Sequence, residues 1–216
     1  MKSEHIKKRM MPSKYYIKWL VLCGANMLCM VLCYLTNWFV VLFADKYGKL
    51  PKIFKLWQTY DNCLDIAWMI YEGNVPKFAR YDFNKHYLYH YENKGDGYII
   101  PGYVDVIDDN FTLKEKFQRY ICRCAWLYRN CGYGFAYYIF GKYVRYNDVK
   151  IIVDQKDFFF AIDTKHNIFC LKDDRQWCRY FKKSIYLGYK FAGIKNRKYP
   201  LRSMLANRIN LFRLVK

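Results

Sequence analysis

The chain has 216 residues, enough for one domain of ordinary size with an appendage, and its 54% hydrophobic and 21% aromatic shares exclude disorder for most of it. Lys and Arg number 37 against 18 Asp and Glu, a net charge of +19 that attracts phosphate, whether on lipid headgroups or on nucleic acid. Nine cysteines include no C-x-x-C pair and stand at no zinc-ligand spacing from the four histidines, which argues against a zinc or redox module.

Residues 1–18 form a basic flank carrying Lys2, Lys7, Lys8, Arg9, Lys14 and Lys18. From Trp19 to Ala44 there follow 26 residues without a charge, and a bilayer core requires roughly 20. The run ends in Val40, Val41, Leu42, Phe43 and Ala44 with no processing site, so residues 19–44 read as a retained transmembrane helix. Within it Cys23, Asn26, Cys29, Cys33 and Asn37 step by three or four. Small and hydrogen-bonding residues in lipid tend to face another helix, so this stripe is a candidate membrane contact face for a host membrane protein or for a second copy.

The far flank has Lys46, Lys49, Lys52 and Lys55, fewer cations than the near one, which favours a cytoplasmic N-terminus and a translocated body. Reduced cysteines and a basic body suit the cytoplasm instead; a helix lying in the cytoplasmic interface would satisfy both, although 26 uncharged residues are more hydrophobic than that mode usually needs.

Residues 45–216 read as a single α+β body. Tyr47 to Pro51 is a turn, after which Ile53, Phe54 and Trp57 return towards the bilayer surface. Asp61 and Asp65, with Asn62 between them, could face one way on a helix and shuttle a proton or hold a cation; the plainer role is capping a helix over Ile66 to Ile70. Lys85 to Tyr91 alternates like a strand, placing His86 and His90 on one side but too far apart to share a metal.

Thr112-Leu113-Lys114-Glu115 is a capping box opening the main amphipathic helix, with Phe117, Tyr120, Ile121, Cys124 and Tyr128 at helical spacing. Lys116, Arg119 and Arg123 fall on another face, expected to be solvated, and Asn130 and Gly132 stop the helix. Tyr143 to Val153, Asp157 to Asp163 and Ile168 to Lys172 read as strands, with a turn at Thr164 to Asn167 and another at Asp173 to Arg175. A long extended segment follows from Trp177 to Phe191. Together they predict an antiparallel β-meander closed against the helix. A disulfide between Cys170 and Cys178 across a hairpin is open.

After Asp174 no acidic residue follows, while Arg175 to Lys216 holds twelve Lys and Arg. Pro200 to Lys216 has the spacing of a basic amphipathic helix, with Leu201, Leu205, Ile209 and Phe212 on one side. Arg202, Arg208, Arg213 and Lys216 are its candidate contacts to lipid phosphate.

Several stretches resemble an uncharacterised family of small membrane-associated proteins of tailed bacteriophages. They are Leu42 to Pro51, Trp57 to Asp65, Trp126 to Phe135 with its Arg129-Asn130 and Tyr133-Gly134-Phe135 string, and Ile185 to Lys190. The resemblance implies a phage-encoded accessory protein at the inner membrane of a bacterial host, and it implies no activity.

No catalytic residue, metal or cofactor is expected. The first reading is a membrane-anchored interaction protein that meets membrane lipids and acts on host membrane, defence or superinfection, with its body in the cytoplasm. The alternatives are a membrane-proximal enzyme built on Asp61, Asn62, Asp65, Arg129, Asn130 and Tyr133, or a basic nucleic-acid-binding protein. The latter is disfavoured because no recognition motif is present.

Overall fold

The charge-free run becomes the longest helix of the protein. In the computed structural model, which describes residues 12–58, 63–65, 76–93, 99–195 and 197–215, helix α1 spans Ser13–Val40 and ends in a tight turn at Val41–Phe43. The remainder is a mixture of helix and antiparallel strands, an α+β fold. The chain divides into two units, Met1–Met27 with Phe135–Lys216, and Leu28–Gly134. Helix α1 therefore gives its first half to one unit and its second half to the other.

The first unit is built on the meander. Strands β4 (Val149–Gln155), β5 (Phe158–Asp163), β6 (Ile168–Asp173), β7 (Phe181–Tyr189) and β9 (Leu205–Leu214) form one antiparallel sheet in the order β4-β5-β6-β7-β9. The β5–β6 turn is the expected one: Asp163 Oδ1 accepts the Lys165 and His166 amides at 2.9 and 3.2 Å, and Asn167 takes φ +52°. A small second ladder pairs β3 (Lys142–Val144) with β8 (Leu201–Ser203), Val144 opposite Leu201.

The helix that this sheet packs on is the first half of α1. Tyr15 is buried with Val153, Phe160 and Phe169, and Trp19 packs at their edge. The Tyr16 and Trp19 rings lie 5.3 and 5.8 Å from Phe169, and Trp19 Nε1 donates to the Ala206 carbonyl at 3.0 Å. This contact takes the place of the sheet partner predicted from sequence, and it draws the start of the apolar run into the body's own core.

Residues 200–216 are strand rather than helix over their described part. Leu201, Leu205 and Ile209 stand four apart, an even step that aligns side chains on one face of a strand as well as on a helix. The ladder to β7 decides, with Ile185 opposite Ile209 and Tyr189 opposite Leu205. The predicted extended segment narrows to β7, because the chain bends at 178–180 first. Cys170 and Cys178 are both free thiols, the first buried beneath the β6–β7 ladder.

The second unit contains the short helix α2 (Phe83–His86), the hairpin β1 (Tyr87–Asn93) with β2 (Ile99–Val106), and helix α3 (Leu113–Arg129). His86 thus ends a helical turn, capped by Asp82, instead of opening the strand. It is fully buried, its Nδ1 lies 2.9 Å from the Asp108 carbonyl and its ring stacks on Phe111, whereas His90 pairs with Asp105 at 2.8 Å.

Helix α3 starts at the predicted capping box. Glu115 N donates to Thr112 Oγ1 at 3.2 Å, and Thr112 N donates back to the Glu115 carboxylate at 2.8 Å. Those bonds from Thr112, with Lys85 at 3.0 Å, hold the Glu115 carboxyl down at about 2, below its ordinary 4.5. Because the folded value is the lower one, the contribution is complete above about pH 4.5 and disappears as pH falls towards 2. Urea midpoints are expected to drop over that window in the wild type, and the gap between wild type and Glu115→Gln to close there.

Two apolar clusters lie either side of α3. Cys122 joins Cys63, Ala79, Tyr81, Phe83, Tyr87, Val104 and Phe111 in one. Cys124, Trp126 and Leu127 join Val40, Val41 and Leu64 in the other, with Phe54 and Trp57 against them. Helix α3 stops where expected: Asn130 caps it, and Gly132 takes φ +72°, where an added Cβ would meet the Met30 side chain of α1.

Candidate functional site

Three sets of residues were singled out by sequence, and the structure distributes them differently. The polar motif comes first. Asp61 and Asn62, and the helix predicted over 66–70, lie outside the described residues.

Asp65 is fully buried, and its partner is Arg123 of α3, which is 6% exposed. The guanidinium grips it as a fork, Nε to Oδ1 at 2.8 Å and a terminal nitrogen to Oδ2 at 2.6 Å. Tyr81 and Tyr87 hydroxyls each donate to the same carboxylate at 3.3 Å, and Arg119 Nε lies 3.5 Å away. Burial, with Asp65 beside them, raises both phenols above their ordinary value, so they remain donors.

The two arginines also clamp the turn that follows α1. Arg123 donates to the Asp45 carbonyl at 2.9 Å and Arg119 to the Lys46 carbonyl at 2.8 Å. Gly48 sits in this turn at φ +68°, where a Cβ would stand 2.7 Å from Asp65 Oδ2. Arg119 and Arg123 are therefore turned inward rather than solvated, because each finds charge and carbonyl oxygen that water would otherwise have to supply.

Arg129, Asn130 and Tyr133 do not join Asp65. Asn130 Nδ2 donates to the Trp126 carbonyl at 3.0 Å, the Tyr133 amide to Asn130 at 3.0 Å, and the Arg129 guanidinium lies 5.7 Å over the Trp126 ring. These residues finish α3. The described residues of the predicted polar motif are thus divided between a structural knot at Asp65 and the end of α3 at Arg129, Asn130 and Tyr133.

The stripe on α1 is the second set. Cys23 and Asn26 are buried within the first unit, Cys33 and Asn37 within the second, and Cys29 is half-buried. The stripe marks a contact face, but its partner is the chain's own body, where Asn37 reaches the Cys131 sulfur at 4.0 Å. Buried positions continue the stripe at Tyr15 and at Val40.

The opposite side of α1 is bare and apolar. Ile17, Val21, Leu28, Val31 and Leu35, with Leu42 of the turn that follows, are between 55% and 74% exposed.

The third set is the basic C-terminus. Arg202 is occupied internally: it donates to the Tyr137 and Tyr138 carbonyls at 2.9 and 2.8 Å and covers the Tyr143 ring at 4.9 Å. Arg208 and Arg213 are exposed on β9, Arg213 reaching Ser184 at 3.5 Å, and Lys216 lies outside the described residues. Among the described residues no group of three His, Cys, Asp or Glu side chains could hold a metal ion. Burial pushes the thiols of Cys122 and Cys131 up to about 12 and that of Cys170 to about 11, which removes thiolate chemistry near neutral pH.

Compared with known families, residues 10–216 match a family of unknown function, DUF7338. The chain belongs to the DUF7338 family. No curated protein and no solved structure matches it. In this DUF7338 protein Arg123 ties buried Asp65 to the turn that holds Gly48. Sequence reasoning missed Arg123 because its partner stands 58 residues away, and an arginine on a helix is ordinarily solvated.

Proposed function

We propose that the protein is a non-enzymatic, membrane-bound interaction protein in which α1 lies along one leaflet, its bare apolar face in the acyl layer. The observation that carries this is the burial pattern of α1. Positions from Tyr15 to Val41 are covered every three or four residues, while the other side is exposed throughout.

Helix α1 has 28 residues, about 42 Å at 1.5 Å per residue, so its length would permit a crossing. Its neighbours argue otherwise. In the first unit the sheet on α1 carries Lys150, Asp154 and Lys172, with Lys165 in its β5–β6 turn. In the second, Tyr120 of α3 donates to the Trp38 carbonyl at 2.8 Å, and α3 carries exposed Lys114 and Lys116. A crossing helix would take these charged elements into hydrocarbon. An in-plane helix leaves them in water and places a net charge of +19 against anionic headgroups.

The setting we propose is the inner membrane of a bacterial host, where a phage-encoded accessory protein would act on host membrane, defence or superinfection from the cytoplasmic side. Fusions of green fluorescent protein and of alkaline phosphatase to each end test the arrangement. Both ends should fluoresce, neither should show phosphatase activity, and the protein should sediment with membranes. Phosphatase activity at the C-terminus would establish a crossing helix and overturn the in-plane reading.

A further inference from the structure

The first unit carries a basic pocket that the sequence did not suggest. Pairing of β3 with β8 brings two distant segments together, the turn after Val144 and the loop before Leu201. Between them lies a cavity of about 340 Å³ lined by Arg145, Tyr146, Asn147, Arg197, Lys198 and Tyr199. Its walls present three cations, two phenol hydroxyls and one amide, and no carboxylate. Two carboxylates of the same unit are held by other lysines: Asp148 lies 3.8 Å from Lys165 and Asp154 lies 3.2 Å from Lys195. Arg145 and Lys198 have no ion-pair partner among the described residues.

A second cavity of about 390 Å³ adjoins the first across Arg145 and Pro200, which line both; it reaches Lys165 and His166 and also takes in Asp148, the carboxylate beside Lys165. The His166 carbonyl accepts from Lys18 of α1 at 2.6 Å, one residue before the charge-free run begins. The basic pocket and its neighbour therefore stand beside the membrane-facing helix within a single unit. Arg202, through its bonds to the Tyr137 and Tyr138 carbonyls, fixes β8 and with it the pocket wall.

We infer that this pocket binds a phosphate group, and that the phosphate is the headgroup of an anionic phospholipid. Clustered guanidinium and ammonium groups with hydroxyl donors match phosphate oxygens, and the cavity admits more than the bare anion. The choice of a lipid over a soluble phosphate rests on the membrane reading above; the phosphate chemistry does not.

Flotation with phosphatidylglycerol-containing vesicles, set against phosphatidylcholine alone, tests the lipid arm. Melting temperature with and without glycerol 3-phosphate tests the soluble arm. Removing both cations in R145A/K198A should weaken phosphatidylglycerol binding by about 30-fold, roughly fivefold for each cation. The variant K150A/K156A, which loses the same charge at exposed positions on β4 and in the turn after it, away from the pocket lining, should bind like the wild type. Both variants should melt with the wild type, since all four residues are exposed. Equal weakening in the two variants would overturn the pocket in favour of general surface charge. Glycerol 3-phosphate raising the melting temperature of the wild type but not of R145A/K198A, with vesicle binding alike in both, would overturn the lipid and keep the phosphate site. Should the wild type float with neither vesicle, the membrane reading fails, and the melting shift alone decides the pocket.

Discussion

Asp65→Ala is expected to destabilise the protein by about 3–5 kcal/mol, because it leaves Arg123 buried with no counter-charge. Four residues converge on this carboxylate, Arg123, Tyr81 and Tyr87 by hydrogen bonds and Arg119 by charge, and the two arginines also hold the turn after α1. Losing Asp65 therefore loosens the junction between α1 and the body as well as the pair itself. Urea unfolding in mild detergent gives the measurement. Arg123→Met should cost a similar amount, and the double variant should lose clearly less than the sum, the signature of one shared interaction. Arg123→Lys should rescue only partly, since an ammonium cannot make the two parallel bonds of the fork. A Asp65→Ala loss under about 1 kcal/mol would show that water reaches the site and that the knot is not structural.

Leu28→Glu with Leu35→Glu should move the protein from membranes to the soluble fraction, lowering its partition by at least about 100-fold, each leucine contributing roughly 1.5–3 kcal/mol of burial. Both residues stand opposite the buried stripe at the centre of the bare face, 74% and 68% exposed, so the fold has little stake in them. Far-ultraviolet circular dichroism should accordingly match the wild type. Retention of the double variant on membranes would mean that charge alone holds the protein there, and the acyl contact of α1 would have to be abandoned.

How far sequence could see depends on the separation of the partners. The absence of charge from Trp19 to Ala44 announces α1, and Thr112 with Glu115 announces the start of α3, because both signals are local. The meander is equally legible from its alternation and turns. What lies on α1 was not: Trp19 reaches Ala206 over 187 residues, and nothing in either neighbourhood declares the other. Arg123 was misread for the same reason. The C-terminal segment failed differently, since a spacing of four fits both periods and only the ladder to β7 resolves it. Arg145 carries no local signal that sets it apart, and only the pairing of β3 with β8 brings it beside Arg197 and Lys198. The stripe of Cys and Asn on α1 is buried against the chain's own residues, and a single helix cannot say whether the partner of such a stripe belongs to the same chain.

The bond from Trp19 to Ala206 also sets a timetable for biosynthesis. At 5–20 residues per second, roughly 10–40 s separate the emergence of α1 from the ribosome and the arrival of the strand that covers it. Through that interval the most apolar segment of the nascent chain has no intramolecular shelter on its first-unit side. It must be held by a bilayer, an insertase or a chaperone while the sheet is still being translated. Membrane engagement would then precede the fold, and the body would assemble on a helix already in place.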